Sequence, residues 1–268
     1  MVGADCRPRL YGEAVTSGLT EAGSMLHARC KADVLKTLID ATSTLVDEVK
    51  LQVGSDGFSL KAVDPAHVAM IELTLKSGAF QEYKAEGMEM GIDLGKFKEV
   101  LKLASGDDEV ELDFDAKAHR LVMKIGNVTR RMSLVDTSGM SDPKVPKLEL
   151  PATITVFPAE IERGIKASEA VADHIALIAD PEGFDLLAEG DTDQVHLRLD
   201  KGMVAELKVE EKVKSLFSLD YFANMVKAAK VSPAITLHLG SDYPVRIEFD
   251  IAGGNGHVTY LLAPRIEN

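Results

Sequence analysis

The stretch Val135–Thr153 reads VDTSGMSDPKVPKLELPAT and lies near the middle of the chain. It carries three prolines, Pro143, Pro146 and Pro151, among Ser, Gly and Asp. Proline fixes φ and removes a backbone donor, which argues against a helix interior or a central strand here. Loops of this length are uncommon inside one compact domain, so the stretch reads as a domain boundary or a binding segment. An ordinary surface loop is the plainer alternative. The boundary reading gains weight from the likeness of the two flanks.

On the N-terminal side, Val34, Leu35, Leu38, Ala41, Leu45 and Val49 recur mostly at three- and four-residue steps. That spacing predicts a helix over 32–48, with Asp33 as its cap. Alternating strands are expected at 49–53, 57–63 and 68–76, a helical turn at 79–83 and a strand at 86–92. Phe97, Val100, Leu101 and Ala104 mark a second helix over 94–104, capped by Asp93. Strands at 109–114, 120–125 and 127–134 end this half. Beyond the connector the order recurs: a strand at 153–157, a helix at 159–171, strands between 174 and 219, a helix at 221–230 and three closing strands. The interval from Ala32 to Leu94 equals that from Ala159 to Tyr221, 62 positions each. Equal spacing points to an internal duplication.

Paired strands disfavour one helix per strand and favour antiparallel sheets with helices on one face. The expected fold is α+β: two similar domains, each with antiparallel sheets and two helices. The boundaries are 25–134 and 153–268, joined by the connector 135–152. Residues 1–24 lack a persistent period and read as a flexible or non-native extension, with Met25 as an alternative start.

The chain has 268 residues, enough for two cores. Its 30 Lys and Arg against 43 Asp and Glu repel nucleic acid on average, although a local basic face remains compatible with that total. Two cysteines, Cys6 and Cys30, exclude a disulfide scaffold, and a reducing cytoplasmic setting is the default. No apolar run approaches the length of a membrane span, and residues 1–24 lack the apolar core of a signal peptide.

Catalytic patterns are weak. The seven histidines show no metal-ligand spacing, so no metal and no cofactor is expected. Ser59, Asp64 and His67 imitate part of a triad, yet a turn histidine explains them as well. Asp180, Glu182 and Asp185 resemble a cation site but suit a solvated turn better. Gly253, Gly254 and Gly256 precede a strand rather than a helix, against a phosphate loop. Two leads remain. Lys36, Lys96, Lys98, Lys102, Arg163, Lys166, Lys227 and Lys230 lie on the four expected helices, many away from the apolar stripes. If the helices share a face, these cations form a surface for phosphate backbones without base reading. Routine solubilising lysines are the competing explanation. The second lead is a pair of alternating segments, 128–134 and 194–199, suited to edge strands whose head-to-tail pairing between copies closes a ring.

Three stretches carry a resemblance: GFSLKAVDPAHVAMIELTL (57–75), MGIDLGKFKEVLKLA (90–104) and GHVTYLLAPRIEN (256–268). From Met25 to Asn268 the chain resembles the DNA sliding clamps of the proliferating cell nuclear antigen family, archaeal type. The resemblance implies a closed homotrimeric ring with sheets outside and helices facing duplex DNA without sequence specificity. It implies a processivity factor rather than an enzyme, acting in the cytoplasm or at the nucleoid. It turns the helix cations into expected DNA-facing residues. It assigns the subunit interface to Thr129, Arg130, Arg131 and Met132 against Gln194, Val195, His196 and Leu197. It also implies a pocket for short peptide motifs of replicative polymerase, clamp loader, flap nuclease and DNA ligase. The matching residues are Val63, His67, Val68 and Met70; Met140, Val145, Pro146 and Leu148; and Tyr221, Pro244, Leu261, Ala263, Pro264 and Ile266. Leu261 and Glu99 depart from eukaryotic members, which often carry tyrosine and lysine there. The extension at 1–24 has no family counterpart.

Overall fold

Alternation with a period of two builds most of this chain, and the computed structural model describes residues 26–266. The extension and Met25 lie outside them. In the first half the elements are β1 (Leu26–Lys31), α1 (Ala32–Thr42), β2 (Glu48–Gly54), β3 (Gly57–Val63), β4 (Ala69–Lys76), β5 (Glu82–Ala85), β6 (Met88–Asp93), α2 (Leu94–Leu101), β7 (Glu109–Asp115), β8 (Arg120–Ile125) and β9 (Val128–Ser133). The second half repeats the order: β10 (Ala152–Val156), α3 (Pro158–Ser168), β11 (His174–Asp180), β12 (Gly183–Glu189), β13 (Gln194–Asp200), β14 (Glu206–Lys208), β15 (Val213–Ser218), α4 (Leu219–Ala228), β16 (Ile235–Leu239), β17 (Val245–Ile251) and β18 (Gly256–Leu262).

The helices are shorter than their periodicity suggests. α1 stops at Thr42 because Ser43 to Asp47 turn the chain into β2. Asp33 lies in its first turn and does not cap it; the cap position is Lys31, whose side chain makes no capping bond. Asp93 does cap α2, its carboxylate accepting from the Lys96 N–H at 2.9 Å. The turn expected at 79–83 instead divides into a single 3-10 turn at Ser77–Ala79 and the start of β5.

The strands form three antiparallel sheets, in the orders β5-β1-β7-β8-β9, β14-β10-β16-β17-β18-β4-β3-β2-β6 and β13-β12-β11-β15. Each domain builds a five-stranded and a four-stranded sheet. The second domain's five and the first domain's four merge into one nine-stranded sheet through β18 and β4. Seven residue pairs make that joint, from Gly256 opposite Leu75 to Leu262 opposite Ala69. Tyr260 strengthens it from inside: its buried hydroxyl donates to the Ala41 carbonyl at 2.6 Å, so the last strand holds the end of α1.

α1 packs against α2 and α4, and α3 packs against α4. The four helices therefore form one layer in the order α2-α1-α4-α3. The core lies between this layer and the sheets, with Leu35, Ile39, Ile161, Phe222 and Met225 turned inward.

Candidate nucleic-acid and partner interfaces

The helix layer presents its polar faces on one side, but most of the eight cations there are already engaged. Lys36 donates to the Ala104 carbonyl at 2.7 Å and ties α1 to the turn after α2. Lys96 pairs with Asp93 at 2.7 Å and Lys98 with Asp40 at 2.5 Å. Arg163 binds Glu160, while Lys166 and Lys230 share Glu162 at 2.8 and 2.5 Å. Of these eight cations, Lys102 and Lys227 have no side-chain hydrogen bond or ion pair among the described residues; both are exposed. Lys227 lines an open valley between α1 and α4 with Asp40, Lys98 and Asn224. Carboxylates thus offset much of this face. Such exposed pairs are worth about 0–1 kcal/mol, so a phosphate can replace a carboxylate at little cost.

The residues expected to form a peptide pocket fall into two groups. Val63 pairs with Met70, Met70 with Leu261, and the Ala263 N–H donates to the Val68 carbonyl at 2.8 Å. Pro244 leads into β17, whose first residue Val245 pairs with Leu262. Arg265 N–H donates to the Leu216 carbonyl at 2.7 Å, which lays the carboxyl end across β15. These contacts gather Val63, His67, Val68, Met70, Pro244, Leu261, Ala263 and Pro264 around one site. Val68 and Ile266 are exposed there, while Met70 and Leu261 form its buried floor. Leu262, two places before Pro264, is only 1% exposed and belongs to the core.

Asp64 organises the site. It is buried and accepts four hydrogen bonds: from the N–H groups of Ala66 at 3.0 Å, Val68 at 2.8 Å and Ala69 at 2.7 Å, and from the Tyr221 hydroxyl at 2.6 Å. Burial alone pushes its carboxyl up, but these donors outweigh it and hold the group below its ordinary value. The carboxylate thereby fixes the 64–69 loop, including His67 at φ 57°, and links it to α4. The triad-like grouping with Ser59 and His67 is therefore a loop clamp. Its bond to the Tyr221 hydroxyl holds α4 beside this loop.

The connector residues make up the second group. Met140, Val145 and Leu148 are half-buried and Pro146 is exposed. Leu148 lines a hollow with Pro151, Val213 and Tyr243. Val135 forms an isolated bridge to Gly91, where a Cβ would strike the Val135 carbonyl.

β9 and β13 are both free sheet edges, as the alternating segments suggested. Thr129, Arg130, Arg131, Gln194 and His196 are exposed, Val195 and Leu197 half-buried, and Met132 buried. Arg198 on β13 joins Asp180 at 3.1 Å and Asp185 at 2.6 Å, and His196 meets Asp185 at 2.7 Å. Arg198 lowers the Asp180 carboxyl below its ordinary range. Asp180 and Asp185 thus hold an arginine. Gly253 and Gly254 take left-handed φ of 63° and 87° in the β17–β18 turn. His27, Glu111 and Asp113 cluster on the outer face of the first sheet, but Lys124 bonds both carboxylates, at 2.9 Å to Asp113.

A duplicated chain whose sheets fuse through the centre, with all four helices on one layer, defines the two-domain clamp class of fold. The models of the proliferating cell nuclear antigen N-terminal and C-terminal domains match residues 25–138 and 144–265. The DNA polymerase sliding clamp of Methanocella arvoryzae is 43% identical over 245 residues, covering 91% of this chain and all of the relative. That of Methanosarcina barkeri is 41% identical over the same coverage. Among solved structures, the C-terminal region of FEN-1 bound to A. fulgidus PCNA matches with a TM-score of 0.86 and 34% identity, over 91% of this chain and all of that one. PCNA from Thermococcus kodakaraensis matches at 0.83 and 25% identity, over 90% and 100%. The chain belongs to the proliferating cell nuclear antigen family of sliding clamps.

Proposed function

We propose that three copies of this chain close head to tail around duplex DNA and tether polymerase and other DNA-processing enzymes. Strand order carries the reading. The domain repeat makes β9 the counterpart of β18, and β13 the counterpart of β4. Within the chain β18 pairs with β4. The same joint between subunits pairs β9 with β13 and consumes both free edges. Matching the two joints sets Val128 opposite Leu199, Arg130 opposite Leu197 and Arg131 opposite His196. The domains are 25–134 and 153–268, with 135–152 as connector between them. The helix layer then lines the hole.

Retention in this reading is topological, so the near-balanced helix face serves it well. Lys102 and Lys227 make the standing phosphate contacts, and the paired cations exchange carboxylate for phosphate as the ring slides. Replacing Lys102 or Lys227 with alanine is expected to reduce the salt dependence of DNA binding by about one phosphate for each lysine removed. Titrations of binding against salt concentration check this. The reading assigns no catalytic chemistry to the chain, and a clamp loader is needed to open the ring. Among the described residues no helix is long and apolar enough to cross a membrane. Action at cytoplasmic or nucleoid DNA agrees with the family's role.

The site around Asp64 receives the partner peptide, with flap nuclease, polymerase, loader and ligase as candidates. The solved complex of a relative with the FEN-1 C-terminal region supports this choice. Exposed Val68 and Ile266 supply apolar anchors, and the backbone near Ala263 can pair with an extended peptide. Leu262 is unsuitable for a test because polar substitution there would damage the core. Ala263→Asp with Ile266→Asp is the cleaner pair. It is expected to lower clamp-dependent polymerase processivity at least tenfold, an order-of-magnitude effect for lost anchor residues, while leaving the assembled mass unchanged. Normal processivity would contradict the socket.

A further inference from the structure

The connector is tied down along its first part and runs into β10 at its far end. Val135 bridges Gly91, Asp136 bonds Ser138 through both its backbone N–H and hydroxyl, and the Met140 N–H closes a turn on Thr137. Lys50 completes the attachment. It lies on β2 opposite Gly91 in β6, on the outer face of the sheet. Its side chain is only 9% exposed, and its ammonium donates to Asp142 at 2.6 Å and faces the Met140 carbonyl at 3.5 Å. Beyond this point, among the described residues, Pro143 to Leu150 form no hydrogen bond or ion pair.

Gly91 and Lys50 act together. Without a side chain at Gly91 the chain leaving β9 lies flat beside β6, and the lysine reaches across that row to the connector. A long, flexible side chain covered this far needs its charge satisfied, and Asp142 is its carboxylate partner. We infer that Lys50 is a positioning residue for partner binding: it fixes Met140 and Asp142, and so sets where the free span from Pro143 to Leu150 can close over a peptide. Lys50 itself does not touch the peptide. This inference rests on the socket reading above. Its physical basis is entropic. A span pinned at both ends samples fewer positions than one pinned only at Pro151, so less freedom is lost when a peptide orders it.

The test is binding of a fluorescent peptide from the FEN-1 C-terminal region to full-length Lys50→Met, Asp142→Asn and the double variant. Lys50→Met keeps the aliphatic stem, and Asp142 is exposed, so assembly and thermal stability are retained and are measured alongside. Each single variant is expected to bind about tenfold more weakly, the scale of one charge-assisted hydrogen bond restraining the bound form. The double variant should be no worse than either single one, because both break the same link. Trypsin should cut after Lys144 and Lys147 faster in the variants, and Lys50→Arg should restore both readouts. Wild-type affinity in Lys50→Met, with Ala263→Asp/Ile266→Asp impaired, would overturn the anchor and leave the socket standing. Wild-type affinity in all of them would remove the socket, and the anchor with it.

Discussion

Asp64→Ala is expected to destabilise the protein by about 3–5 kcal/mol, because three backbone N–H groups and the Tyr221 hydroxyl lose one buried acceptor together. Each unsatisfied buried donor costs roughly 1–3 kcal/mol, and solvent entering the loop recovers part of that. The corresponding fall in Tm is about 10 °C for a chain of this size. Peptide binding should fail even at temperatures where the variant stays folded, since Val68 and the strand receiving Ala263 are positioned by the same carboxylate. Asp64→Asn keeps one acceptor and should fall between.

A pH signature accompanies this loss. The Asp64 carboxyl lies below its ordinary 3.8 in the folded protein. Its contribution is therefore fully present above the unfolded value and disappears as pH falls through the lower folded one. Thermal denaturation followed from about pH 6 downwards should show the gap between wild type and Asp64→Ala closing only below about pH 4. A constant gap through that range, or an unchanged Tm, would contradict the clamp role.

Arg131→Glu is the second large effect, and its target is assembly. The proposed joint sets Arg131 of one copy opposite His196 of the next, beside carboxylates 180, 185 and 200. Arg198 and His196 already balance part of that cluster. In that proposed joint an arginine from the neighbouring copy completes the neutralisation, whereas glutamate adds a like charge. Like-charge juxtaposition at an interface costs several kcal/mol, so the association constant should drop by roughly 10²–10³ at each joint. Light scattering should report three chain masses for wild type at micromolar concentration and one for the variant. Asp185→Arg placed in the same chain should restore part of the assembly if its own packing survives. An unchanged mass in Arg131→Glu would place the interface elsewhere.

Local order is readable wherever a period is strong. The alternation of β3 and β17 marks their limits because one face of each strand is more deeply buried than the other. The 3.6-residue stripes mark the four helices, but overrun their ends: Leu45 and Val49 continue the stripe of α1 in apolar character while belonging to a turn and to β2. Joints between distant segments are less legible. Nothing local in Gly256–Leu262 says that it pairs with Ala69–Leu75 across the domain boundary, since alternating apolar strands carry no address.

The candidate sites divide along the same line. The free edges β9 and β13 can be singled out from polar alternation. The state of the lysines cannot, because Lys98 meets Asp40 and Lys230 meets Glu162 only once separate helices pack. Leu262 adjoins the expected socket residues Ala263 and Pro264, yet the pleat turns it into the core. Asp64 draws notice for the wrong chemistry: an aspartate before Pro65 with a histidine three places on fits a catalytic fragment and a loop clamp equally well. Lys50 leaves no signal at all, as one lysine in an alternating strand is ordinary until the connector is seen above it.

Encirclement is the claim on which the rest depends, and retention on DNA of different topology tests it most directly. The protein is loaded with a clamp loader and ATP onto a nicked circular duplex, separated from free protein in high salt, and the DNA is then cut once. Bound protein should persist on the circle and be lost through the new ends after cutting, whatever the sequence at the cut. Equal loss from circular and linear DNA, or retention on both, would contradict a closed ring.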